Sequence, residues 1–116
     1  MTASAKPARR VILEMGMGNA LRSGDYTRAA KRAVEDAMRH SYLPVFQSLG
    51  LDPEAMEIDL TLAAQEPEKI DLAAAAAVLP YGKVTPRAVK GGLNVADGNG
   101  GRVVIVNAAV EVRLKV

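Results

Sequence analysis

The chain has 116 residues, with 15 basic and 13 acidic side chains, a formal charge of +2 and no cysteine. That length suits one domain with a single modest core, and the lack of cysteine excludes disulfides, thiolate zinc sites and a cysteine nucleophile. Aromatic residues make up only 3%, and basic residues are interleaved with acidic ones, which argues against a nucleic-acid partner.

Residues 1 to 8 read as a flexible leader, because Pro7 and the small polar residues before it cannot pack a core; residues 9 to 116 form the domain. The start MTASAKPARR lacks the apolar segment of a secretory signal, and no apolar run reaches the roughly 18 residues of a membrane span. A cytoplasmic location without membrane contact is expected.

Val11 to Met15 reads as a strand apolar on both faces except at Glu14. Gly16 and Gly18 then suggest a turn, with Ser23 or Asp25 capping the helix that follows. Tyr26, Ala30, Ala33, Val34, Ala37 and Ser41 share one face of that helix, and Arg28, Lys31, Arg32, Glu35, Asp36 and Arg39 cover the other. Pro44 ends or bends it, LPVFQSLG forms a short extra turn, and Gly50 stops that turn.

Met56 to Leu62 alternates, with Met56, Ile58, Leu60 and Leu62 on one side and Glu57, Asp59 and Thr61 on the other, the pattern of a half-buried strand. A second helix falls within Pro67 to Leu79, with Pro67 at a first helical position or Asp71 as cap, and Pro80 and Gly82 end it. A short strand near Val84 to Val89 and a long one, Val103 to Val116, read as a hairpin whose tip carries the Asp97 to Gly100 sequence DGNG. The expected fold is a single α+β domain of order β-α-β-α-β-β: a four-stranded sheet, two helices packed on one face, and a charged opposite face.

Strand-to-helix turns gather backbone N–H groups at a helix start, so Asn19, Arg22 and Ser23 are candidate ligand residues. GMGNALRSG is not a dinucleotide fingerprint, because Leu21 stands where the third glycine is required. Lys83, Arg87 and Lys90, beside Gly91 and Gly92, have the chemistry to hold a carboxylate or polarised carbonyl; the plain alternative is a basic edge strand that resists pairing. Glu14, Lys83 and Lys90 are the catalytic candidates, with an ion pair to a neighbouring arginine the structural alternative for Glu14. His40, near the helix end, suits the dipole there. Glu57 and Asp59 fall short of a metal ligand set, so no metal and no cofactor is expected.

The segments EMGMG, GDYTRAAKRAVEDA, LPYGKV, VKGGL and VIVNAAVEV, spread over residues 11 to 116, together resemble a small family of conserved hypothetical bacterial proteins of the kind found in Listeria-type genomes. The resemblance implies a stand-alone α+β domain in a symmetric homo-oligomer. That family is similar in architecture to one domain of the cyanuric acid hydrolase and barbiturase group, ring-opening amidohydrolases that use serine and lysine pairs. Where that group has Ser-Gly-Gly, this chain has Lys90 before Gly91 and Gly92, so the nucleophile is missing. The family pattern also has an acid and a histidine in the first turn, where this chain reads Asn19, Ala20, Leu21, Arg22.

The leading expectation is a homo-oligomer binding a small anionic or carbonyl-rich molecule at a subunit interface. One alternative is a hydrolase that opens a cyclic amide or imide with a lysine-activated nucleophile. Another is a purely structural ring-forming protein.

Overall fold

The computed structural model describes residues 7–21, 24–39 and 48–115. Arg22, Ser23, His40, Ser41, Pro44 and most of the LPVFQSLG turn lie outside them. In chain order the elements are β1 (Ala8–Ala20), α1 (Tyr26–Arg39), β2 (Glu57–Ala64), α2 (Leu72–Ala76), β3 (Lys83–Lys90), β4 (Leu93–Ala96) and β5 (Arg102–Lys115), with single 3-10 turns at Pro53–Ala55 and Pro67–Lys69. The class is α+β, but the sheet has five strands among the described residues rather than four.

The sheet order is β1-β5-β2-β3, with β4 paired to the first residues of β5. Strand β5 runs antiparallel to both of its neighbours, β1 and β2, while β3 runs parallel to β2. Thus β1, β2 and β3 point the same way and β5 passes between them in reverse. The expected hairpin of the 84–89 strand with the last strand is therefore incorrect. The hairpin joins β4 to β5, and β3 reaches β2 through a crossover containing α2. Asp97 builds its tip by accepting the amides of Asn99 and Gly101, and Gly98 and Gly100 take the positive φ that the sequence suggested.

Alternation is as expected in β2, whose Ile58, Leu60 and Leu62 are buried, and in β5, where Val104, Val106, Ala108, Val110, Val112 and Leu114 face the helices. The α1 face is also as read, with Ala29 joining Tyr26, Ala30, Ala33, Val34 and Ala37 in the core. Asp25 caps α1 through the Arg28 amide, and Asp71 caps α2 through the Ala74 amide.

Strand β1 departs most from expectation. It runs on to Ala20, so Gly16 and Gly18 lie inside the strand and not in a turn. Both face α1. A Cβ on Gly16 would run into the backbone of Ala33 and Ala37, and one on Gly18 into that of Ala29 and Ala33. The glycines of the strand and the alanines at 29, 33 and 37 let helix backbone lie almost directly on the sheet. Two α1 side chains also reach the outer margin of β1. Asp36 accepts the Met17 amide at 2.9 Å, and Arg32 donates to the Asn19 carbonyl at 2.8 Å.

Candidate functional site

The carboxyl ends of β1, β2 and β3 meet the start of α1 at one end of the domain, where polar side chains from four separate segments converge. The Tyr26 side chain, on the first residue of α1, is buried, and its hydroxyl donates to Glu66 at 2.9 Å and accepts from the Asn94 amide at 2.7 Å. Glu66 follows the end of β2 and also takes Arg102 at 2.6 Å and Lys69 at 3.0 Å. The Arg102 guanidinium lies over the Tyr26 ring, 5.7 Å from its centroid, and beside Gly24. Hydrogen bonds from Lys69 and Tyr26 hold the Glu66 carboxyl down at about 2, against partial desolvation.

One atom in this cluster lacks a partner. The Asn94 side-chain carbonyl Oδ1 is buried and accepts no hydrogen bond. Arg102 spends one guanidinium nitrogen on Glu66, and its side chain remains 42% exposed. The arrangement thus offers a cationic planar donor at the surface and a buried, unsatisfied acceptor, both beside Tyr26.

The sequence candidates divide between this end and others. Lys90, Gly91 and Gly92 belong to it, because β3 ends there: the Gly91 amide donates to Ala64, and Gln65 donates to the Gly91 carbonyl at 2.9 Å. Gly92 has positive φ, and a Cβ there would strike the Ile105 carbonyl, so it serves a close backbone crossing. Asn19 lies near the same end of β1, on the face away from the helices. Lys83 lies at the opposite end of β3, about 23 Å from Lys90 along an eight-residue strand, so one small ligand cannot touch both.

Arg87 belongs to a different constellation on the uncovered face. Asp59 and Glu111 stand directly opposite each other on β2 and β5. Arg113 bridges them, at 3.0 Å to Asp59 and 3.2 Å to Glu111, while Arg87 reaches Asp59 at 3.3 Å and Arg10 reaches Glu111 at 3.4 Å. The hydrogen bond to Asp59 raises the Arg113 pKa above its usual value. The result is a ladder of alternating sign across four strands, in which every acid is shared between arginines. Glu14 faces the helix side of β1, half-buried, and among the described residues it forms no ion pair with an arginine.

Tyr26, Glu66, Lys69, Asn94 and Arg102 were absent from the sequence candidates. Each is isolated in the chain, and only the fold unites them. The available signals were slight: an aromatic hydroxyl at the helix start, an acid between a strand and Pro67, and an arginine opening the last strand.

These features define a one-domain α+β protein with a mixed sheet covered on one side and a polar cluster at the carboxyl ends of its parallel strands. A model of a conserved hypothetical protein family, Lin0512_fam, matches residues 10–112, and the chain belongs to that family. It is similar to a crystal structure from Nostoc punctiforme described as an FtsZ-like protein of unknown function. The TM-score is 0.84 and the identity 34%, covering 96% of this chain and 99% of that one. No curated protein matches.

Proposed function

We propose that this chain binds a small anionic or carbonyl-rich molecule as one subunit of a homo-oligomer, at the end of the domain where Arg102, Lys69 and Asn94 meet. The observation that carries the reading is the buried, unpartnered Asn94 Oδ1 in the same cluster as the part-exposed Arg102, the two joined through Tyr26. A ligand acceptor on the guanidinium gains a charge-assisted hydrogen bond, and a ligand N–H or O–H would relieve the orphaned carbonyl. Glu66 balances part of the positive charge, which favours a singly charged or neutral polar ligand over a polyanion.

The ring-opening alternative requires a hydroxyl or water activated by Lys83 or Lys90. Among the described residues neither lysine hydrogen-bonds to a hydroxyl, and no observation favours this reading over simple binding.

The test is thermal denaturation with cyclic imides, ureides and small dicarboxylates. A ligand at a hundred times its Kd stabilises by about 2.7 kcal/mol, and Arg102→Met should abolish the shift. Absence of any shift with all three classes would defeat the binding reading and leave the ring-forming one.

A further inference from the structure

Five large apolar side chains lie together on the sheet face opposite α1 and α2: Met15 and Met17 of β1, Val89 of β3, and Leu93 and Val95 of β4, each between 42% and 67% exposed. Ile105 of β5 lies among them, between Asn19 and Leu93. They occupy the half of the face nearest the carboxyl ends of the parallel strands, and the arginine–carboxylate ladder occupies the other half. Exposed apolar surface concentrated on one flat face marks an interaction site.

We infer that this apolar half docks face to face against the same surface of a second copy, about a two-fold axis close to Asn107. The inference rests on the self-association in the proposed function and names the surface that performs it. Three observations favour a second copy as the occupant. The neighbouring ladder pairs its charges internally, so the face presents no single-sign field to attract an anionic lipid surface, a nucleic acid or an acidic peptide. The patch is the surface of a sheet rather than a groove, and two such surfaces pack as aligned layers about 10 Å apart.

The third observation is Asn107, exposed at the centre of the apolar half between Met17 and Ala63. Its amide carries both a donor and an acceptor, so it is complementary to its own copy across a two-fold axis. An axis perpendicular to the strands at this row superposes apolar half on apolar half and leaves the two charged ladders solvated at opposite ends.

Four strands at about 4.8 Å spacing over half the length of the 14-residue β5 give a footprint of roughly 450 Å² per copy, or about 900 Å² in total. That lies at the low end for specific association, so the contact should be reversible and concentration-dependent.

The experiment is light scattering on the eluted full chain over a range of concentrations, for wild type, Asn107→Asp and Lys31→Asp, a change on the exposed side of α1. Wild type should associate into even-numbered assemblies. Asn107→Asp sets two carboxylates across the axis, so association should weaken at least 100-fold at neutral pH with unchanged circular dichroism, while Lys31→Asp behaves as wild type. A wild type that stays monomeric at millimolar concentration defeats both this inference and the self-association beneath it. Association unaffected by Asn107→Asp, or an odd-numbered assembly, defeats the inference alone. Should Asn107→Asp not fold, the cysteine-free chain allows single-cysteine cross-linking with a short bismaleimide. Met17→Cys, on the axis row and exposed, should yield covalent dimers and Lys31→Cys none, and the reverse result overturns the assignment.

Discussion

The two sides of β1 differ in a way that inverts the usual economy of a strand. Over Met15-Gly16-Met17-Gly18 the side facing α1 carries only hydrogens, while the opposite side carries two methionines that remain 67% and 52% exposed. A strand under a helix ordinarily turns its bulk inward. Here helix backbone fills that space, with Ala29, Ala33 and Ala37 against the glycines. The covered side therefore depends on the absence of atoms, and the open side presents apolar bulk that nothing in the described chain covers. Intolerance to added volume belongs to the first side, and exposed apolar surface to the second.

The sharpest way to break this comparison is to change neighbouring residues on opposite sides. Gly18→Ala drives a methyl into the backbone of Ala29 and Ala33. Neither can move without lifting the helix, so urea denaturation should show a loss of about 3 kcal/mol or more, or no soluble protein. A full-strength Gly18→Ala protein would mean that the seam is looser than described.

A smaller effect lies at the carboxyl-terminal end of the covered side, where Lys69 and Tyr26 hold Glu66 in its ionised form. Its folded pKa is depressed, so its contribution is complete above the unfolded value near 4.5 and fades as pH falls through about 2. Acid titration of stability should therefore steepen in that window for wild type, and Glu66→Gln should flatten it. Equal slopes would show that the Glu66 contacts do not hold in solution. The smallest change is expected from Met17→Ser. Its side chain is half in water already, so the stability of the isolated protomer should stay within about 0.5 kcal/mol of wild type.

Much of the fold was legible where a single element's periodicity decides burial. The alternation of β2 and β5 and the apolar stripe of α1 are local patterns, and each follows directly from which side meets the core. The role of Gly16 and Gly18 was not legible, because a glycine pair reads equally as a turn or as a strand pressed by a helix, and only the partner distinguishes them. The parallel pairing of β3 with β2 was marked by the helix between them, but the glycine-rich stretch after β3 read more strongly as the tip of a hairpin with the last strand. Strand β4, at four residues, was lost in the glycine-rich stretch around it. The site was still less visible. Gly91 and Gly92 were found because they are adjacent and unusual, whereas Tyr26, Glu66, Asn94 and Arg102 are ordinary residues whose significance is their mutual distance.

The hydrogen bonds from the Met17 amide to Asp36 and from Arg32 to the Asn19 carbonyl have a counterpart on the far side of the sheet, where Pro86 sits within β3 and has no N–H to give. The two strands at the ends of the β1-β5-β2-β3 order are thereby denied an unbroken row of free peptide groups. The sheet is bounded in width at both margins. The chain is therefore poorly templated for edge-to-edge growth into fibrils, even with its exposed methionines on the adjoining face.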